Sequence, residues 1–249
     1  MKKIILGSII TLALVGTLLL VYVNIIKKDT YMDAEMGELI EFHLTSSRYE
    51  VVEDIFSLNL GYTPYYTTLL DVKKCKGLET LRMGDDWHYF GDNSEVPQAE
   101  SNERIKQIQS ELGEILDECE KIDCIRIVNY EGILSLDDLS FLENRDNNCN
   151  LMIKNMGNID YSYIFSCDNL EQLGLSGCEI SSLEGIENLH YLKLLWIDDT
   201  SVSSAEDIIK LASVENMEEI NISNTPLAQN EEEVEKLRTA FPDAVITID

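Results

Sequence analysis

The chain is poor in histidine and has none of the common catalytic motifs. Three histidines, His43, His88 and His190, stand far apart in the sequence, which leaves little material for acid–base catalysis or zinc ligation. A P-loop, a nucleophile elbow, an H-E-x-x-H motif and a dinucleotide fingerprint are all absent. These absences predict that the protein is not an enzyme and binds no cofactor.

Basic residues are also scarce. The sequence has 19 Lys and Arg against 46 Asp and Glu, a formal net charge of −27. Because the first 28 residues hold four lysines and no acid, the remainder is more acidic still. A nucleic acid partner is excluded, since phosphate binding needs a basic face. A basic protein partner, divalent cations or solubility alone remain as explanations of the charge.

The six cysteines do not form any C-x-x-C pair, which argues against a zinc knuckle or a redox motif. Most are predicted to be small buried residues. Export would permit disulfides, with Cys119–Cys124 and Cys124–Cys149 as the candidates nearest in sequence. An acid-rich segment, 85–95, is a candidate calcium loop, but it lacks the EF-hand order of ligands, and a solvated acidic loop is the alternative.

Only one long apolar run occurs, residues 4–26, between Lys2-Lys3 and Lys27-Lys28. As a helix it would extend for about 35 Å, enough to span a bilayer. An uncleaved membrane anchor is predicted; a cleaved signal peptide and a buried core helix are the alternatives. The flanking lysines nearly balance, but the position of the run predicts that the domain after it is exported. The protein is then single-pass with an extracellular domain, or secreted if the run is cleaved.

One spacing recurs along the remainder: apolar, two residues, apolar, one residue, apolar. Leu170, Leu173 and Leu175 show it, and Leu192, Leu195 and Ile197 repeat it 22 residues later. This period and pattern are typical of leucine-rich repeats. The fold class predicted is an α/β leucine-rich repeat solenoid with a parallel concave sheet, preceded by one transmembrane helix. Eight strands are expected, at 58–60, 81–83, 125–127, 151–153, 173–175, 195–197, 220–222 and 246–248.

The chain resembles bacterial leucine-rich repeat proteins of the internalin-like kind over roughly residues 50–249. Leu183, Ile186 and Leu189 fit the returning arm of a short bacterial repeat, and the segment from Val234 to Ile246 resembles a helix–turn–strand cap. The resemblance implies a solenoid that binds a partner through its concave side, and it implies no particular ligand. Asn is common at the ninth repeat position, but this chain has other residues there: Thr63, Asp86, Tyr130, Met156, Cys178, Thr200 and Thr225.

The predicted organisation is an anchor (1–28), an amino-terminal cap (29–54) and a repeat domain (55–249). The repeat domain contains an insertion, 84–121, and a carboxyl-terminal cap, 230–249. Within the insertion, Ser101 or Asn102 is expected to cap a helix on the convex side. Six apolar residues line one face of this helix: Ile105, Ile108, Leu112, Ile115, Leu116 and Cys119.

Strand alternation identifies the residues that face outward from the sheet. Among them, Trp196, Leu194 and Met152 are large and apolar, and are therefore candidates for partner binding, unless Trp196 is covered by a neighbouring strand or loop. Arg82 and Arg126 are candidates for contact with an acidic group. Gly174 lies between the apolar candidates, faces outward, and is expected to tolerate a change to Asp.

The function predicted is non-enzymatic recognition of a protein or other surface partner at the bacterial cell surface. The runner-up is an acidic, immunity-type inhibitor that neutralises a basic partner, and a third class is a scaffold subunit of a membrane complex. Steep loss of affinity with salt would distinguish the electrostatic inhibitor from the other two.

Overall fold

The computed structural model describes residues 31–46, 49–84, 98–143, 145, 147, 149–213 and 217–249. Both the predicted anchor and the candidate calcium loop lie outside these ranges. In the described part of the chain, no helix is long and apolar enough to cross a membrane. The anchor therefore stays a sequence-based prediction.

Eight strands form one parallel sheet, and their order in the sheet is their order in the sequence. Every predicted strand is present, and each begins one residue earlier than expected. The strands are β1 (Ser57–Asn59), β2 (Thr80–Met83), β3 (Cys124–Val128), β4 (Asn150–Lys154), β5 (Gln172–Gly174), β6 (Leu194–Trp196), β7 (Glu219–Asn221) and β8 (Val245–Thr247).

The register of the sheet stacks one apolar side chain per repeat. Leu58 pairs with Leu81, and the series continues to Ile246 on β8. Leu81, Leu173 and Leu195 are fully buried within it. Removing this apolar surface from water is the main force that holds one repeat on the next.

Within the described residues, four α-helices accompany the sheet, and short 3₁₀ segments form most of the returning arms. The helices are α1 (Ala34–Ser46), α2 (Asn102–Glu118), α3 (Glu206–Ile209) and α4 (Glu231–Ala240). Asn230 caps α4 by accepting hydrogen bonds from the amides of Glu232 and Glu233. The acidic residues in the first turn of α4 also suit the helix dipole.

The helix of the insertion, α2, has the expected cap and the expected apolar face. The Ser101 hydroxyl accepts a hydrogen bond from the Arg104 amide, and the six predicted apolar residues are buried. The helix packs against two 3₁₀ segments, Leu70–Lys74 and Ser140–Leu142. One charged residue, Glu111, is buried on the same face, where it accepts hydrogen bonds from the Thr68 hydroxyl and the Leu69 amide.

Each strand is followed by a tight turn, which in the later repeats needs a left-handed residue. Asn155, Gly177, Asp199 and Asn224 occupy equivalent positions in four successive repeats, and all have φ between 56° and 68°. Glycine, asparagine and aspartate tolerate this conformation best. These residue types recur one place before the ninth position. That place therefore indicates the turn in the sequence, whereas the ninth position alone does not.

In the last repeats the ninth position holds threonine, and the threonine hydroxyl bonds the backbone of the turn as expected. The hydroxyls of Thr200 and Thr225 donate to the carbonyls of Ile197 and Ile222, at 2.7 and 2.6 Å. In the repeat of β3, the residue one place earlier, Asn129, bonds the turn. Its amide group donates to the Asn155 carbonyl and accepts from the Leu134 amide.

All six cysteines lie among the described residues and are free thiols. Four are buried, and Cys124 and Cys149 are half-buried. Burial raises the pKa of the Cys75 thiol to about 12, so this side chain is not a reactive thiolate at neutral pH. The prediction that most of the cysteines are small buried residues is confirmed.

Candidate partner-binding face

The open face of the sheet presents two rows of outward side chains, each running across the strands. The central row is defined by register as Asn59, Arg82, Arg126, Met152, Gly174, Trp196, Asn221 and Thr247. The second row lies two residues earlier on each strand and includes Leu194. Four of the five predicted site residues therefore fall in one row, and the fifth lies beside it.

The structure brings Met152 and Trp196 together over Gly174. A Cβ added to Gly174 would lie 3.3 Å from Met152 Cγ and 3.5 Å from Trp196 Cε3. Gly174 is consequently buried although it faces outward, whereas Met152, Leu194 and Trp196 stay half-buried. We name Met152, Gly174, Leu194 and Trp196 the apolar patch.

The expectation that Gly174 tolerates a change to Asp stays a prediction. The direction of the position was predicted correctly, but two large side chains cover it. A Cβ at this position would be in ordinary contact with Trp196 and would need Met152 to shift by a few tenths of an ångström.

The indole ring of Trp196 is held by a carboxylate on the next strand. Its Nε1–H donates a hydrogen bond of 2.8 Å to Oε1 of Glu219. Because the ring is already oriented, binding through it costs less conformational entropy than binding through a free side chain. Glu219 follows Trp196 by 23 residues, and nothing in the sequence pattern identifies it as a partner.

A polar network borders the apolar patch where β5–β7 end. One oxygen of Asp198 accepts hydrogen bonds from the Ser176 hydroxyl at 2.9 Å and from the Asn221 amide at 3.4 Å. The other end of the Asn221 side chain accepts from the backbone and the hydroxyl of Ser223. This border satisfies its own polar groups and fixes the ends of the strands.

Arg82 and Arg126 are register partners on β2 and β3. Arg82 is exposed and Arg126 is half-buried. Burial raises the pKa of the Cys124 thiol overall, although a hydrogen bond with Thr80 and the guanidinium charges of Arg82 and Arg126 act to lower it. Two cations thus stand side by side on the open face.

The acidic residues are not concentrated on the open face. The outward residues of β1–β4 include Arg82, Arg126 and Lys154 and no acid, whereas the whole chain has 46 acidic residues. Acids instead precede the strands, at Glu79 and Asp123 among others. This distribution does not support an acidic inhibitor acting through this face. Within the described residues there is also no cluster of His, Cys, Asp and Glu suited to a metal ion.

The repeat length, the consecutive parallel strands and the turn after each strand define a leucine-rich repeat solenoid. Internalin C2 of Listeria monocytogenes has a similar crystal structure, with a TM-score of 0.53 over 90% of this chain and 96% of its own. An internalin (inlF) of the same species is similar with a TM-score of 0.55 over 89% of this chain, which spans 64% of the inlF chain. Both are 15% identical in sequence to this chain.

No family model matches the sequence, and no curated protein matches it either. The similarity to the two internalins is a similarity of fold. It confirms the internalin-like leucine-rich repeat architecture that the sequence predicted.

Proposed function

We propose that this protein is a non-enzymatic recognition module at the bacterial cell surface and binds a protein partner through the open face of its sheet. The single observation that carries this proposal is the apolar patch. A half-exposed tryptophan, already oriented by Glu219, lies beside Met152 on an otherwise polar sheet face. Aromatic side chains of this kind dominate the binding energy of many protein interfaces.

The proposed location follows from the apolar run 4–26. This run is predicted to be a membrane anchor that holds the repeat domain outside the cell. Cleavage of that run would make the protein secreted instead. The internalin-like fold supports a binding role, because a solenoid of this class has an extended face and no built-in reaction centre.

The test is a change of Trp196 to Ala, measured on a partner recovered with the full-length chain from membrane and surface extracts. Truncating an interface tryptophan typically costs about 2 kcal/mol or more. We expect Trp196→Ala to weaken binding at least roughly tenfold, which is about 1.4 kcal/mol. The melting temperature should stay close to that of the wild type, because Trp196 is only half-buried.

Phe42→Ala is the matched control, since Phe42 is also a half-exposed aromatic residue but lies on α1, away from the sheet. It should leave affinity unchanged. Equal affinity of the Trp196→Ala variant and the wild type would remove the apolar patch from the proposal. A markedly lower melting temperature would mean that Trp196 is a core residue.

A further inference from the structure

The stacked core is covered at the first strand of the sheet but not at the last. Each strand contributes one apolar residue to the stacked series from Leu58 to Ile246, and every member before Ile246 is buried. Ile246, on β8, is only half-buried, whereas Leu58, on β1, is fully buried. A stacked array needs a cover at both ends, because a terminal repeat otherwise exposes apolar surface to water.

The helices account for this difference. The first helix, α1, buries Met36, Leu39 and Ile40 in the same core cluster as Leu58. The last helix, α4, packs instead against α3, on the side of the returning arms. Ile248, which follows Ile246 by two residues and shares its face, is consequently also half-buried.

The outer edge of β8 has backbone groups directed away from the sheet. The Val245 amide donates to the Glu218 carbonyl at 2.8 Å, and the Thr247 carbonyl accepts from the Ile222 amide at 2.9 Å. Because neighbouring residues of a strand direct their backbone groups to opposite edges, those of Ile246 point away from β7. Among the described residues, no strand pairs with this edge. An unpaired edge is a template for another strand.

A groove beside this edge joins apolar surface to negative charge. The residues that line it are Ala228, Glu231, Val234, Glu235, Arg238 and Ile248. Glu231 and Glu235 are exposed, and the guanidinium of Arg238 lies 4.0 Å from the Glu235 carboxylate, a weak contact for an exposed pair. The exposed acids Asp243 and Asp249 flank β8. Acids therefore outnumber bases around the open end.

We infer that the open end is a second interaction surface, whose occupant is an extended segment of a protein partner that adds to β8 as a parallel ninth strand. Two apolar residues at alternate positions of the segment stack on Ile246 and Ile248, and basic residues beside them meet Glu231 and Glu235. In this mode of recognition, backbone hydrogen bonds supply affinity and side chains supply specificity. The surface does not include the apolar patch.

Parallel addition repeats the geometry of the strand pairs already in the sheet. The carbonyl of Lys193, directly before β6, accepts hydrogen bonds from the amides of Glu218 and Glu219 at 2.8 and 3.1 Å. Ala244 occupies the equivalent place directly before β8. Its carbonyl is the corresponding acceptor for the amides of a ninth strand.

A second copy of this chain fits the open end less well than a basic segment. Two copies would bring the same exposed acids, Glu231 and Glu235, toward each other, and each chain has a formal net charge of −27. Like charges repel, whereas Lys or Arg beside an apolar strand complements these carboxylates.

The probe is a fluorescently labelled peptide, Lys-Thr-Ile-Thr-Ile-Thr-Lys, and its binding to the full-length chain in detergent micelles is measured by fluorescence anisotropy. In a parallel ninth strand its threonine amides point at β8 and its isoleucine amides point away. N-methylation of the threonines should therefore weaken binding at least about tenfold, and N-methylation of the isoleucines should change it by less than about twofold. Glutamate in place of both lysines should weaken binding at least about tenfold.

Ile248→Lys should also weaken binding of the unmodified peptide about tenfold, because it removes apolar surface and adds a cation at the groove. Met32→Lys is the matched control, since Met32 is 61% exposed and lies before α1, at the other end of the chain's described part. It should keep the wild-type affinity. The methylated peptides need no variant, so they test the inference even if Ile248→Lys does not fold.

Four outcomes overturn the inference. Equal binding of the threonine-methylated and unmodified peptides would mean that no strand is added, and loss of binding on isoleucine methylation instead would mean antiparallel pairing. A dimer seen by light scattering and abolished by Ile248→Lys would make a second copy the occupant. Trp196→Ala should leave peptide binding unchanged; weaker binding would place the peptide on the apolar patch, whereas loss of the apolar patch as a partner site leaves this inference standing.

Discussion

At the scale of single residues, neighbouring positions on one strand point to opposite faces of the sheet and therefore lie in different environments. Leu173 points into the core and is fully buried, whereas Gln172 on the same strand points to the open face and is half-buried. Gly174 shares the outward direction of Gln172 but lies under Met152 and Trp196. The direction of a side chain therefore does not by itself decide its burial; the size of its neighbours on adjacent strands also matters.

Leu173→Asp should unfold the repeat array. Burying an unpaired carboxylate costs several kcal/mol in practice, which is on the order of the whole stability of a domain. Gln172→Asp introduces the same side chain one residue away on the solvated face and should change the free energy of unfolding by less than about 1 kcal/mol. Urea denaturation of both full-length variants, followed by circular dichroism, makes the comparison. Similar midpoints for the two variants would mean that the strand register is wrong.

At the scale of elements, buried carboxylates join the amino-terminal helix to the repeats. Asp33 lies at the start of α1, is 3% exposed, and accepts hydrogen bonds from the Thr67 amide and hydroxyl at 2.6 Å. Asp71 is fully buried and accepts from the amides of Met32 and Asp33. Hydrogen bonds to these two carboxylates therefore hold the segment before α1 to the repeats.

The contact of Asp33 makes the attachment of α1 dependent on pH. Burial acts to raise the pKa of Asp33, but hydrogen bonds from the Thr67 hydroxyl and from backbone amides outweigh it and lower the pKa overall. A lowered pKa in the folded state stabilises the fold above the ordinary pKa of aspartate, near 4, and the stabilisation is lost as pH falls below that value. Asp33→Asn should lower the free energy of unfolding at pH 7 by about 1.5–3 kcal/mol.

The measurement is the urea midpoint of the full-length chain between pH 7 and pH 2. The wild type should lose stability below about pH 4, and the Asp33→Asn variant should show a smaller loss over the same interval. Glu35→Gln, an exposed change on the same helix, serves as the control and should follow the wild-type curve. Parallel curves for the wild type and Asp33→Asn would show that this carboxylate does not couple stability to pH.

At the scale of the whole molecule, the strong negative charge and the proposed binding face are separate features. Acids such as Glu79 and Asp123 precede the strands, while the outward residues of β1–β4 are neutral or cationic. A net charge of −27 repels polyanions at long range, and salt screens this repulsion beyond about a Debye length.

A prediction about membrane topology belongs to the scale of the whole molecule. Protease added to intact cells should degrade the domain after Lys28 and leave the anchor in the membrane fraction, because the apolar run at 4–26 is predicted to hold that domain outside. The two fractions are separated and probed with antibodies to each end. Recovery of an intact, protected domain would reverse the orientation. Release into the medium with a new amino terminus near residue 28 would indicate a cleaved signal peptide.

The sequence alone determined the repeat architecture, because the spacing of apolar residues directly reports which side chains stack in the core. Eight strands and the inserted helix followed from local patterns, and Ser101 is one of the two caps that those patterns allowed. Only the tertiary structure decided that Met152 and Trp196 meet over Gly174 and that Glu219 orients the indole. These contacts join residues one or two repeats apart, and they depend on side-chain size and rotamer across strands. Periodicity along the chain identifies the face of a residue but not the neighbour that it touches.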